Sequence, residues 1–421
     1  MNILHLNTFV NKNNALFPPY QFHQELLRQG HRSVLMAANG DVNESNVVIL
    51  NHGRLLPRFK LHGICNRLLF RKKNELNYYY YPEWNLYPVT RNLVMRNVPF
   101  KPDAIVAYWT KYAFNQGLLR QLSEAYNVPV FAFITDMAHY TGGCHYSYGC
   151  KGYTNQCGKC PALKSNKEND LSRRTWKYKK REIEKSRITL IAPSSECHDQ
   201  AKESSLYSNK RIATIRVGYD TTTFSPNNAT EVRQVLSIDK DAKVIFFPST
   251  FLNDTRKGLH LLLDALDIIA SQIQGSEMRE KILLLFAGNS LPSSIKLPFK
   301  SKYLGYLDSV CDFAKPFQAS DVLACPSIAD IGPAMVILSM LSGRPVVSFD
   351  VGISRELVHT GKTGYLAQNF NSHDLAKGLM QILSLENTEY QAMSERCRTL
   401  TLKNHNIHSE TKGLIELIRS R

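Results

Sequence analysis

Two short stretches of this chain carry residue types that suit work on an anionic, hydroxyl-rich molecule. The first is Pro326–Leu366. A strand-like run ends at Cys325, and a polar turn follows that holds Asp330, Ile331, Gly332 and Pro333. A helical stretch comes next, and then a second strand over Arg344–Phe349. Proline is at home in a first helical turn, where its missing N–H costs nothing. The free amides and the dipole of such a helix start make a seat for phosphate, and a carboxylate beside it accepts hydrogen bonds from hydroxyls. The second stretch is Arg256-Lys257-Gly258, in a polar loop after the strand-like run Lys243–Phe247. Fixed cations there suit a leaving diphosphate, because they meet its charge as it develops. Arg offers a planar fork and Lys a point charge. On spacing alone, an ordinary strand–turn–helix unit and a solvated basic pair fit equally well.

Four of the nine cysteines crowd one loop. Cys144, Cys150, Cys157 and Cys160 are spaced C-x5-C-x6-C-x2-C, and the loop ends in Cys-Gly-Lys-Cys-Pro. A reducing compartment makes metal the first expectation for such a set, with structural Zn²⁺ in a closed tetrahedral site. Two disulfides and free thiols are the alternatives, and His145 is a substitute ligand. The other five cysteines are scattered and read as small core residues.

These loops need a scaffold. Short apolar runs alternate with helical stretches along the whole chain. The strand candidates are Asn2–Leu6, Ser33–Ala37, Asn46–Leu50, Asp103–Tyr108, Val128–Ile134, Thr189–Ala192, Arg211–Val217, Lys243–Phe247, Lys281–Ala287 and Asp321–Cys325. Phe22–Arg28 and Gly258–Ile273 are helical examples between them. This alternation predicts parallel sheets covered by helices. A chain of 421 residues has room for two or three domains. The polar segment Thr221–Glu231 reads as the link between them. The expected division is 1–220, with a Cys-rich insert at 141–162, then 221–386, then a helical tail at 387–421.

Charge is distributed unevenly. Residues 1–190 hold 27 Lys and Arg against 12 Asp and Glu, so they carry +15 of the net +16. One half of the chain is therefore expected to face an anionic surface or substrate. No nucleic-acid-binding motif accompanies the charge, so nucleic acid is not an expected partner. No run approaches the roughly 18 apolar residues of a membrane span. The start, MNILHLN, has neither a basic region nor a long apolar core, so it does not read as a signal peptide. A cytoplasmic location is expected.

The wording of the first stretch resembles the donor site of family 4 glycosyltransferases, which are retaining enzymes of the GT-B fold. Pro326-Ser327, Asp330, Gly343, Pro345-Val346-Val347, Glu356-Leu357-Val358 and Thr363-Gly364-Tyr365 carry the resemblance. It implies two Rossmann-like α/β domains facing across a cleft, with the Cys-rich loop in the first and nucleotide-sugar binding in the second. It also implies that the tail crosses back to the first domain. Lys257 inherits the diphosphate contact, and an Arg usual earlier in that loop passes its role to Arg256. Asp330 inherits the first acid of a paired-acid motif that contacts donor-sugar hydroxyls. Arg256, Lys257, Asp330, Ile331, Gly332 and Pro333 make up the expected donor site. The second acid, which usually holds the nucleotide ribose, falls on Leu338.

Asp136-Met137 and Thr141–Tyr146 resemble a subgroup of bacterial enzymes that build capsules, O-antigens and exopolysaccharides. In that subgroup a cleft His precedes the Asp, and here the position is Thr135. His139 or His145 is a stand-in, and Asp136 joins Asp330 and Lys257 as an expected catalytic residue. The family's Gly-rich first loop is rewritten as Asn11–Pro19.

Leu55–Tyr81 mixes apolar residues with Arg54, Arg58, Lys60, Arg67, Arg71, Lys72 and Lys73 and ends in four tyrosines. It suits a helix at an anionic membrane face, or a surface helix packed on the domain. Arg173–Arg187 reads as a second basic helix with a solvated face. The reading as a whole is a retaining glycosyltransferase, peripheral on the inner membrane, that needs no catalytic metal. It would move a sugar from a UDP- or GDP-sugar to a saccharide or lipid-linked acceptor. The rival is an inactive binding or scaffold protein of the same fold, motivated by Thr135, Leu338 and the rewritten first loop. A nucleotide-sugar epimerase of this fold has no evident catalytic acids here.

Overall fold

The computed structural model describes residues 1–11, 16–50, 61, 64, 79–84, 88–289 and 295–420. The chain forms two compact units, Met1–Gly218 with Ile407–Arg421, and Tyr219–Asn406.

The first unit is built on a seven-stranded sheet ordered β3-β2-β1-β4-β5-β6-β7. Its strands are β1 (Asn2–Val10), β2 (Arg32–Gly40), β3 (Val47–Ile49), β4 (Ala104–Ala107), β5 (Val130–Phe133), β6 (Ile188–Ala192) and β7 (Ile212–Thr214). The second unit holds a six-stranded sheet ordered β10-β9-β8-β11-β12-β13. These strands are β8 (Lys243–Phe251), β9 (Ile282–Asn289), β10 (Lys300–Tyr303), β11 (Val322–Cys325), β12 (Val346–Phe349) and β13 (Gly364–Ala367). Every strand pair in both sheets is parallel. Helices supply the crossovers, so the central strands are covered on both faces. AIVA, VFAF, VLAC and VVSF are accordingly buried at every position. Unbroken apolar runs are what such strands require. Both units are therefore Rossmann-like, as the alternation predicts.

Three sequence expectations change. The tail does not act as one piece. Asn387–Asn404 is a helix of the second unit, while Ile407–Arg419 packs in the first. The last helix puts Ile407, Leu414, Ile415 and Ile418 into a core cluster with Ile3, Phe22 and Phe133. Two strands were missed. β10 reads KSKY, a polar edge strand without an apolar run, and β13 is a four-residue strand opened by Gly364. Finally, Cys311 is exposed, whereas Cys197, Cys325 and Cys397 are the buried core residues expected.

Most of Leu55–Tyr81, and 12–15 of the first loop, lie outside the described residues. Tyr80 and Tyr81 do not sit at a membrane interface. Both are buried, and the Tyr80 hydroxyl donates to Gly142 O at 2.7 Å. The Arg173–Arg187 run is not simply a solvated face either. Its helix, Leu171–Glu184, buries Trp176, Lys179 and Glu182.

Candidate functional site

Strand order in the second unit reverses between β8 and β11, which are paired neighbours. In open parallel sheets this switch point, beyond the carboxyl ends of the strands, is where ligands bind. The loops that leave β8 and β11 hold the two stretches singled out from the sequence.

The β8 loop runs into a single 3₁₀ turn, Thr255–Lys257. Asp254 caps it by accepting the Arg256 amide at 3.0 Å. Gly258 then adopts φ +75°, and the helix Leu259–Gln272 begins. Glycine is required there twice over. The left-handed backbone disfavours a side chain, and a Cβ would stand 1.9 Å from Pro326 O. That close approach clamps the β8 loop onto the β11 loop. The Ile328 amide donates to Arg256 O at 2.9 Å, and Arg256 Nη1 donates to Ala329 O at 3.1 Å.

The clamp brings the predicted charges together. Asp330 Oδ2 accepts from Lys257 Nζ at 2.6 Å and from Arg256 Nη1 at 3.0 Å. Arg256 Nη2 also reaches Asp254 Oδ2 at 3.1 Å, and the Gly332 amide donates to Asp330 Oδ1 at 3.3 Å. Burial pushes the Asp330 carboxyl up, but the Lys257 and Arg256 charges outweigh it and hold the group well below the usual carboxylate range. Access from solvent falls mainly to Lys257, whose side chain is 24% exposed against 10% for Asp330. A Cβ built on Gly332 would meet nothing within 4 Å, so open space borders the backbone at that turn.

Pro333 sits one position earlier than predicted. It is the N-cap (φ −62°, ψ 102°) of the helix Ala334–Leu341, not a member of its first turn. The first-turn amides still face the same end of the helix. Ile331 is buried and acts as a packing residue. Leu338 is also buried, within that helix, and has no polar atom to offer a ribose. The sequence reading missed two residues beside this site. Tyr219 is buried, and its hydroxyl is raised well above the ordinary range by burial and then by the Asp330 charge. Phe251 is 56% exposed at the carboxyl end of β8. Tyr219 stood just before the link, where only a domain boundary was sought, and Phe251 in a loop searched only for arginine.

The first unit treats its predicted residues differently. Asp136 is fully buried. Its Oδ1 accepts the Ala138 amide at 2.8 Å, and its Oδ2 accepts the Trp109 indole N–H at 3.0 Å. It caps the 3₁₀ turn Met137–His139. His139 is buried too, and burial, then Lys111 and Lys179, keep its ring neutral. His145 Nε2 lies 3.9 Å from Asp136 Oδ2. Thr135 offers only a buried hydroxyl without a hydrogen-bond partner. Unforeseen from the sequence is a buried charge group around Glu83, which lies 3.5 Å from Lys179 and 3.7 Å from Lys111. All three are buried, and the helix pattern gave no sign of the inward Lys179.

The four loop cysteines line one cavity and are all free thiols. Among the described residues, no group of three or more His, Cys, Asp or Glu side chains stands in a ready-made metal-holding arrangement.

Residues 228–399 match the family of Glycosyl transferases group 1. The matched segment contains Arg256, Lys257, Asp330 and the whole switch point. A curated relative, D-inositol 3-phosphate glycosyltransferase of Corynebacterium urealyticum, is 30% identical over 222 residues, covering 50% of this chain and 51% of that protein. The chain spans about half the length of the curated relatives it matches, or 51%, 42% and 45% for three of them. Among solved structures, sucrose-phosphate synthase from Thermosynechococcus elongatus superposes with a TM-score of 0.68 at 15% identity, over 100% of this chain and 99% of that one. Anabaena HepE, solved with UDP and glucose, gives 0.61 at 15% identity over 100% of both chains. These two likenesses concern the fold, which is the GT-B class of two Rossmann-like α/β units.

Proposed function

We propose that this chain is a retaining glycosyltransferase that moves a sugar from a nucleotide-diphospho-sugar to a saccharide acceptor. The observation that carries the reading is the convergence of Lys257, Arg256 and Asp330 at the switch point of the second unit, inside the segment that matches group 1 glycosyl transferases.

The chemistry follows from that convergence. As the bond from sugar to diphosphate breaks, negative charge builds on the departing phosphate. Lys257 and Arg256 are held in place to meet that charge, with the amides at the start of the Ala334–Leu341 helix. In the resting protein the Asp330 carboxylate satisfies both cations. When donor binds, the diphosphate takes over the cations and Asp330 turns its acceptors to donor-sugar hydroxyls. Charge compensation by fixed cations lets departure proceed without a catalytic metal. The exposed face of Phe251, on the same rim, is a surface for the nucleoside end of the donor. Ribose recognition falls to groups other than residue 338. Anabaena HepE, of the same fold, was solved with UDP and glucose, which favours a UDP-sugar as the first donor to try.

The acceptor reading rests on charge. The surplus of +15 within residues 1–190 suits a phosphorylated or lipid-diphosphate-linked saccharide, as used in bacterial surface polysaccharide synthesis. The name of the Corynebacterium relative also specifies a phosphorylated acceptor. An anionic inner-membrane face is the surface where such lipid-linked acceptors reside. No described helix is long and apolar enough to cross a membrane.

The test is transfer itself. Purified full chain is incubated with UDP- and GDP-sugars and with phosphorylated and lipid-linked saccharide acceptors, and products are read by mass spectrometry. A glycosylated product with retained anomeric configuration supports the reading. A folded protein that binds donor but turns over none of the acceptors points to the scaffold alternative.

A further inference from the structure

The donor site leaves the cysteine loop of the first unit unexplained. Cys144, Cys150, Cys157 and Cys160 come from three separate turns, yet all four line a single cavity. The turn that supplies the last pair is unusual. Cys157, Gly158 and Lys159 take φ values of +55°, +94° and +45° in succession. Left-handed backbone at a non-glycine residue costs on the order of 1 kcal/mol, and two such residues flank Gly158. At Gly158 itself a Cβ would stand 2.3 Å from Glu168 O. The loop holds this shape to turn both sulfurs toward the same cavity.

Two of the sulfurs accept backbone hydrogen bonds. The Gly142 amide donates to Cys157 Sγ at 3.3 Å, and the Gly152 amide donates to Cys150 Sγ at 3.4 Å. Amides aimed at a sulfur suit a metal-bound thiolate better than a thiol, which is a weak acceptor. Four sulfurs around one cavity can share one cation that takes the place of their protons. Four sulfurs with no oxygen ligand select a soft ion of tetrahedral preference.

We propose that these four cysteines bind one Zn²⁺ as a closed structural site. Four Zn–S bonds form, and the four thiol protons pass to solvent. The four sulfurs line one cavity without standing in finished metal geometry. A complete four-sulfur shell leaves no open position for substrate. The ion's effect is to fix loop 141–162 against Tyr80 and the Leu171–Glu184 helix. Both already touch the loop, through the Tyr80 hydroxyl at Gly142 O and through Ser172 Oγ, which accepts the Gly158 amide at 2.9 Å. This inference is independent of the donor site and of sugar transfer.

The experiment is elemental analysis of full chain, produced with zinc in the medium and purified without chelator. One zinc per chain is expected. A mercurial reagent should release it, read with a colorimetric zinc indicator. Cys157→Ser with Cys160→Ser should remove the metal and lower Tm, while Cys311→Ser, at an exposed site outside the loop, should keep both. Should the double variant fail to fold, metal content and mercurial release of the unmodified chain still decide. Absence of zinc from folded protein, iron in its place, or a disulfide among these four cysteines in a non-reducing peptide map overturns the proposal.

Discussion

Lys257 Nζ lies 2.6 Å from Asp330 Oδ2, although the two residues are 73 positions apart in sequence. They meet because the β8 and β11 loops leave paired neighbouring strands and are clamped at Gly258 and Pro326. The cation that the account assigns to a leaving diphosphate is therefore already positioned by an internal carboxylate. Turnover then depends on an exchange of anions at one fixed cation.

Removing that cation should damage transfer more than folding. Lys257→Ala leaves Asp330 paired with Arg256, so the fold retains its clamp. Loss of one preorganised donor to a developing charge typically costs about 100- to 1,000-fold in kcat. Steady-state kinetics should show a fall of that order, and circular dichroism should show an unchanged fold.

Gly258→Ala should act through the backbone instead. A side chain at φ +75°, aimed at Pro326 O, must push the two loops apart. Strain of this kind costs about 1–3 kcal/mol. Chemical denaturation should report a loss in that range, and donor affinity should fall with it even though every charged residue is kept.

Asp330 sets an acid dependence. Burial raises its carboxyl, but Lys257 and Arg256 prevail, so its folded pKa lies below its unfolded one. Its contribution to stability is then complete above the unfolded value of about 3.9 and is lost as pH falls toward the folded value. Asp330→Asn has no such term. The stability difference between wild type and variant should be constant from pH 7 to 5 and shrink below about pH 4. Denaturation curves at several pH values measure it.

How much of this was legible beforehand depended on which force dominated locally. Strands such as VLAC and VVSF announce themselves because burial on both faces demands unbroken apolar runs. The charged turn at Asp330 and the pair Arg256-Lys257 were legible because the chemistry needs those side chains. Edge strand β10, KSKY, was not, since an exposed edge places little demand on side-chain type. The inward turn of Lys179 was equally hidden. Only the tertiary fold brings Glu83, 96 positions away, to within 3.5 Å of it. Asp136 shows a related limit, because a capping carboxylate and a catalytic one look alike in sequence.

Lys179 gives a basic-side test of that buried group. Burial lowers its pKa from 10.5 to about 8, against an opposing pull from Glu83. Between those values the unfolded chain binds more protons than the folded one, so stability rises with pH. Lys179→Met removes the effect. From pH 7 to 9.5 wild type should gain stability relative to the variant, as read by urea denaturation. A constant difference would argue against a shifted lysine.

The central claim is that the paired charges of the second unit are a seat for a nucleotide diphosphate. Isothermal titration of UDP- and GDP-sugars into wild type and Lys257→Ala tests it most directly. The account predicts saturable binding of at least one donor to wild type, weakened tenfold or more in the variant. Folded wild type that binds none of them, or a variant that binds as tightly, would contradict it.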